Sequence, residues 1–376
     1  MQPEPSNNKP AKTGVTEITK DLKKIGIILG TRPEIIKMSP IIRLLESRKI
    51  GYFILHTGQH YSYNMDKIFF EQLKLPTPNY NLNVGSGSHA EETGKMLMGI
   101  EGILANERPD IVLVEGDTNS VLAGALAASK MRIKVGHVEA GLRSGDRSMP
   151  EEINRIVADH ISDCLFAPTT ASRENLLKEG IEPRKISVTG NTIVDALYQH
   201  LRLIEGKDAK SDLGVDGYIL VTLHRQENVD DPEKLKRVLK GLEELSARFS
   251  KAIVYPMHPR TRKRLQEYGI TVSSNLRIMA PIDYLAFLSL ESQADLILTD
   301  SGGVQEEACI LGVPCVTLRE NTERPETIAV GANVLAGTDP ALILEKAEAM
   351  MGRRGGWKNP FGDGKAAERI LKIIGS

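Results

Sequence analysis

The sequence predicts an α/β protein of two doubly wound domains, with the active site in the cleft between them. Three observations predict it. Short apolar runs bounded by Gly, Pro or Asp recur along the chain, each followed by a longer segment of helical period, which is the pattern of βα units around parallel sheets. At 376 residues the chain exceeds one ordinary core and suits two. The apolar runs also fall into two groups, separated by the polar stretch Leu203–Gly214, where a Gly-Lys-Asp-Ala-Lys-Ser run interrupts the periodicity.

In order, the first group predicts strands at Lys24–Leu29, Tyr52–Leu55, Ile111–Val114, Lys134–Val138, Cys164–Ala167 and Ile186–Val188, with helices such as Ile35–Glu46, Ala90–Asn106 and Val121–Lys130 between them. The second predicts strands at Tyr218–Thr222, Ala252–Tyr255, Leu276–Met279, Asp295–Leu298 and Cys315–Leu318. Residues 1–21, rich in Pro, Asn and Lys, are expected to be a disordered leader. The N-terminal domain is expected over 22–205 and the C-terminal domain over 206–362. The helical pattern Lys365–Ile374 follows a Trp-Lys-Asn-Pro-Phe-Gly-Asp-Gly break, so residues 363–376 are expected to cross back to the first domain.

Lys plus Arg (48) nearly cancels Asp plus Glu (49), a balance that calls for neither nucleic acid nor an anionic membrane. Cys164, Cys309 and Cys315 sit in apolar segments without paired spacing and read as core thiols in a reducing compartment. With neither a secretory signal nor a run of about 18 apolar residues, the expected location is the cytoplasm.

In open α/β sheets the ligand lies at the carboxyl ends of the strands. Ser301-Gly302-Gly303 follows a strand and opens the helical run Val304–Leu311, so bare backbone N–H groups stand at a helix N-terminus, where a diphosphate binds. A plain helix cap with Ser301 as N-cap gives the same local pattern. Glu307, about a turn further, favours the phosphate reading because its carboxylate can chelate a ribose diol. Arg32, Lys37 and Arg324 are candidate cations for the same ligand. Asp117, Glu139 and Glu151 are the candidates for proton transfer: the first two end adjacent strands and the third begins the helix Glu151–Ile161. Ser148-Met149-Pro150-Glu151 also reads as a capping box, and Glu151 with Arg155 as an i,i+4 ion pair. His224 and Arg225, at a strand end in the second domain, are placed to touch the diphosphate or a leaving oxygen. The chain lacks G-x-G-x-x-G, G-x-x-x-x-G-K-[ST] and H-E-x-x-H, which removes sequence support for NAD, ATP-type phosphoryl transfer and catalytic zinc.

Taken together, Gly30-Thr31-Arg32-Pro33-Glu34, Thr57-Gly58-Gln59-His60, Gly116-Asp117-Thr118, His137-Val138-Glu139-Ala140-Gly141-Leu142-Arg143, Pro150-Glu151-Glu152-Ile153-Asn154-Arg155 and Asp300-Ser301-Gly302-Gly303-Val304-Gln305-Glu306-Glu307 resemble the non-hydrolysing UDP-N-acetylglucosamine 2-epimerases. The resemblance runs from about Lys24 to the C-terminal helix. It implies two Rossmann-like domains in the glycosyltransferase-B architecture, the second binding UDP, and a homodimer. It also implies UDP-N-acetylglucosamine and UDP-N-acetylmannosamine as substrate and product, with no metal and no nicotinamide. Carried over residue by residue, it gives Asp117, Glu139 and Glu151 acid–base roles and His224 the departing UDP. Arg32, Lys37, Phe287, Ser301, Gly302, Gly303, Glu307 and Arg324 become substrate-binding; Arg155 and Arg225 are added to that set from their own positions, on the helix after Glu151 and at the strand end beside His224. Ile282 stands where members often carry glutamine, and Glu115 and Leu223 replace smaller or more polar residues.

The chemistry agrees, since C2–H of an aminosugar is hardly acidic and its direct removal leaves an unstabilised carbanion. Eliminating UDP across C1–C2 needs only a base, a phosphate cradle and a leaving-group stabiliser. Gln59, His60 and His258 follow strands without a place in that chemistry. In bacterial members of the resembling family a second substrate molecule activates from beside the active site, so these three are expected to line a regulatory pocket; the competing structural roles are capping of the next helix for Gln59 and His60 and bracing of Pro259 for His258. A glycosyltransferase of the same architecture, a hydrolysing 2-epimerase and a non-catalytic nucleotide-sugar sensor remain as alternatives.

Overall fold

The computed structural model describes residues 24–58 and 63–375. The expected leader and the candidates Gln59 and His60 lie outside the described residues. Among the described residues, thirteen strands form two all-parallel sheets. The first holds β1 (Ile25–Leu29), β2 (Tyr52–His56), β3 (Tyr80–Asn81), β4 (Ile111–Glu115), β5 (Lys134–Val138), β6 (Cys164–Ala167) and β7 (Ile186–Val188), in spatial order β3-β2-β1-β4-β5-β6-β7. The second holds β8 (Tyr218–Thr222), β9 (Ala252–Pro256), β10 (Leu276–Met279), β11 (Leu296–Thr299), β12 (Cys315–Thr317) and β13 (Asn333–Leu335), in order β10-β9-β8-β11-β12-β13. This is the α/β fold of two doubly wound, Rossmann-like sheets expected from the sequence. β3 and β13 were not expected: they are edge strands of two and three residues, too short to show a period.

The strands are near-continuous apolar runs because both faces of each sheet are covered. In β1, Ile25, Ile27 and Leu29 enter one core while Ile28 enters the core on the opposite face. The helix Arg32–Arg48 packs on the first of these faces beside the helix Thr192–Leu203. The C-terminal helix Ala366–Ile374 packs on both, with Ile370 and Leu371 in the same core. Pro40 lies inside Arg32–Arg48 and cannot donate to the carbonyl of Ile36; the Ser39 hydroxyl donates to that carbonyl instead, at 2.7 Å. Among the described residues no helix is long and apolar enough to cross a membrane.

Candidate active site

Each sheet reverses its strand order once, between β1 and β4 in the first and between β8 and β11 in the second. The carboxyl ends at both reversals open onto one cavity of about 320 Å³ between the sheets. Asp117, Glu139, Glu151, Lys37 and Arg155 line it from the first sheet, and Arg225, Ser301, Gly302, Gly303 and Arg324 from the second. Arg32 and Phe287 line an adjoining cavity of about 400 Å³. Phe287 also borders a smaller one with His224 and His258. Glu307 is buried beside Glu291, behind the lining of the shared cavity.

Glu139 follows β5 with φ of +65°, a left-handed conformation that side chains other than glycine rarely adopt. Its buried carboxylate pairs with Lys37, and it lies 3.3 Å from the Asn191 amide and 3.7 Å from the Arg324 guanidinium. Burial pushes this carboxyl up, but Lys37 and Arg324 outweigh it and hold it at about 2. Glu115, at the end of β4, is equally buried, with one oxygen 3.3 Å from Lys37 Nζ. Burial, only partly offset by Lys37, raises Glu115 well above the carboxylate range, so in this pair it carries the proton and Glu139 the charge. For Lys37, burial is outweighed by Glu115, Glu139 and Glu306, so its ammonium stays charged.

Glu34 closes the capping box with Thr31 at the start of Arg32–Arg48 and accepts from the backbone of Gly30 and Thr31 and from the Thr118 hydroxyl. Burial pushes it up to about 7. It thereby ties the β1 turn to the β4 turn that carries Asp117. Asp117 is held by Arg155, whose other nitrogen is 2.9 Å from Glu152, and Asn154 donates to the Asp117 carbonyl at 2.9 Å. The expected Glu151–Arg155 pair is thus replaced by contacts with Asp117 and Glu152, because a tertiary charge outcompetes a neighbour on the exposed face. The expected capping box at Ser148 is also absent: Met149 is the N-cap of Pro150–Ile161, with no side-chain cap bond, and the Ser148 hydroxyl turns back to Asp146 at 2.7 Å. Glu151 is exposed at the cavity rim without a capping role.

Behind these turns, His137 is fully buried with Nδ1 2.7 Å from Asp159 and Nε2 2.8 Å from the Gly116 carbonyl. Burial opposes protonation, but Asp159 outweighs it and raises the imidazole, which donates from both nitrogens. Asp159 also pairs with Arg143 at 2.7 Å and accepts from Gly141 N–H at 3.2 Å. Gly141 is obligatory here: at φ of +83° a Cβ would sit 2.3 Å from the Ser172 carbonyl oxygen.

In the second domain Ser301 is the N-cap of Gly302–Leu311 by position, yet its side chain makes no cap bond, which leaves its hydroxyl and the first N–H groups of the helix for a ligand. Asp300, fully buried, accepts from the backbone N–H of His224 at 3.0 Å and of Arg225 at 2.9 Å, and lies 3.2 Å from His224 Nδ1. His224 is thus fixed through one nitrogen. His258 stands 5.7 Å from it, ring to ring, and its Nδ1 accepts from Arg260 N–H as the N-cap of Pro259–Glu267. Arg324 reaches Glu306 at 2.9 Å and Glu139 at 3.7 Å, joining the two domains across the cavity floor.

Sequence reasoning missed Glu34, Glu115 and Glu306 as members of this cluster. The Thr31-x-x-Glu34 spacing of a capping box was visible as a signal for the first. Four cations and a helix N-terminus suit a diphosphate, and several carboxyls in differing protonation states suit proton transfer.

Comparison with known proteins covers most of the chain. The family described as UDP-N-acetylglucosamine 2-epimerase matches the chain over residues 43–375. A UDP-N-acetylglucosamine 2-epimerase of Methanocaldococcus jannaschii is 58% identical over 93% of this chain and 98% of its own. A UDP-2,3-diacetamido-2,3-dideoxy-D-glucuronate 2-epimerase of Pseudomonas aeruginosa is 43% identical over 93% of this chain and 99% of its own. The crystal structure of the M. jannaschii enzyme in complex with UDP-GlcNAc and UDP superposes with a TM-score of 0.85 at 58% identity, over 93% of this chain and 99% of that one.

Proposed function

From the premise that the chain belongs to the UDP-N-acetylglucosamine 2-epimerase family, we propose that it interconverts UDP-N-acetylglucosamine and UDP-N-acetylmannosamine by eliminating and readding UDP. The observation that carries this reading is the meeting of three carboxylates, Asp117, Glu139 and Glu151, with the Ser301–Gly303 helix N-terminus around one cavity. UDP lies with its diphosphate on Ser301, Gly302 and Gly303, assisted by Lys37, Arg324, Arg225 and Arg155, and with its ribose on Glu307. The cavities bordered by Arg32 and Phe287 extend the site on the nucleoside side.

A carboxylate takes the C2 proton, the C–H electrons become the C1=C2 bond of 2-acetamidoglucal, and the C1–O bond breaks with its electrons on UDP. His224, oriented by Asp300, faces the departing diphosphate. A second carboxyl then delivers a proton to the opposite face of C2 while the UDP oxygen re-forms its bond to C1. Glu139 enters the reaction ionised, because Lys37 and Arg324 hold it so. The same reading has the enzyme working in the cytoplasm as a homodimer.

Anomeric-proton NMR of UDP-N-acetylglucosamine with the protein in deuterated water tests the proposal. A second nucleotide-linked anomeric signal, with deuterium entering C2 of both sugars, is expected. Release of free N-acetylmannosamine would mean the hydrolysing enzyme. An unchanged spectrum would leave the sensor or, with an added acceptor, the glycosyltransferase. A uronate substrate, as named for the Pseudomonas relative, would be indicated if only that nucleotide turned over.

A further inference from the structure

Glu291 lies on the helix Tyr284–Gln293, fully buried, and among the described residues no donor reaches either of its carboxyl oxygens. The polar group it meets is the carboxyl of Glu307, on the neighbouring helix Gly302–Leu311. An ionised carboxylate without donor or cation is strongly disfavoured in a protein interior, and two carboxyls can hydrogen-bond only if one keeps its proton. We propose that Glu291 is a positioning residue of the nucleotide site: its retained proton is donated to Glu307 and keeps that carboxylate ionised and in place for the ribose diol. This rests on the reading of Glu307 as the ribose contact.

The surroundings support the assignment of acid and acceptor. Tyr284 on the same helix, Tyr218 of β8 and Cys315 of β12 face Glu291, and none of them is a cation. Glu307 sees Glu306 on its own helix and, across the domains, Lys37. Arg43 and His200 face Tyr284 and so stand one residue further off. The positive charge is therefore on the Glu307 side. Burial pushes Glu307 up to about 7, with the Glu291 hydrogen bond opposing the rise, while burial and the Glu307 charge drive Glu291 well above the usual carboxylate range.

The test is UDP affinity by calorimetry between about pH 6 and 9 for the full chain and its Glu291→Gln and Glu291→Leu variants. Gln keeps a donor and should rescue the affinity. Leu keeps the volume without the donor and should weaken UDP about tenfold, as expected for a lost hydrogen bond to a charged group, and should move the fall in affinity to higher pH. A residue that only fills space would change the melting temperature without moving that pH profile. Equal affinity and pH dependence in wild type and Glu291→Leu would overturn the proposal, as would equal losses in Gln and Leu. If the Leu variant does not fold, the protonated-carboxyl infrared band lost between wild type and Glu291→Gln decides instead; no lost band overturns it. Glu307→Ala separates the two ideas: unchanged UDP affinity there ends the ribose reading itself, whereas a loss there with none in Glu291→Leu ends only the role of Glu291.

Discussion

Replacing Lys37 by Met removes the one ammonium shared by Glu115, at 3.3 Å, and Glu139. Moving the Glu139 carboxyl from 4.5 to about 2 corresponds to ~3 kcal/mol in favour of its charged form, at 1.36 kcal/mol per pH unit. Arg324, at 3.7 Å, supplies part of this. Roughly 2 kcal/mol is therefore expected to disappear with Lys37, below the 3–5 typical of a broken buried pair because Glu139 can take up a proton. The sign follows from linkage. A carboxyl depressed in the folded chain contributes stability that is present above about 4.5 and is lost as pH falls through about 2. Urea unfolding should thus show the full gap between wild type and Lys37→Met at neutral pH, with an unchanged slope, and a closing gap below about pH 4. Turnover at neutral pH should fall about 10²-fold, because Lys37 holds the Glu139 carboxylate in place and also assists the diphosphate. A gap of the same size at both ends of the pH range, or no gap, would refute the placement of charge on Glu139.

Asp117→Asn, Glu139→Gln and Glu151→Gln should each lower turnover by about 10² to 10⁴. Only Glu139→Gln, which strips a partner from Lys37 and Arg324, should also lower the melting temperature clearly. Near-normal turnover in all three, followed by the NMR assay, would end the elimination mechanism. Gly141→Ala forces a Cβ to 2.3 Å from a backbone oxygen at φ of +83°, so a loss of about 3 kcal/mol or more in chemical denaturation is expected; a loss below about 1 would show that the turn can relax.

The βα repeat was legible because each buried strand is a bounded apolar run and each helix carries its own period. The residues after the strands were legible for the same reason, since the topology fixes where they point. What escaped depends on contacts that no local window contains. Arg155 has a carboxylate at i−4, yet its partners are Asp117, 38 positions earlier, and Glu152. His137 and Asp159 are 22 residues apart, and nothing in either segment announces the pair. Glu115 ends the run Ile-Val-Leu-Val-Glu, where an acidic residue closing an apolar strand was noticed only as a departure, while its protonation depends on Lys37 from another element. Glu307 was readable as a partner for ribose, but not as a neighbour of Glu291, because packing between two helices decides that.

Glu139 sits on a backbone conformation natural to glycine. A mutation to glycine there would relax the turn but would leave Lys37 and Arg324 without the carboxylate they share. Folding and chemistry therefore both hold an acid at this turn, and the strain in its backbone is offset by the two buried cations.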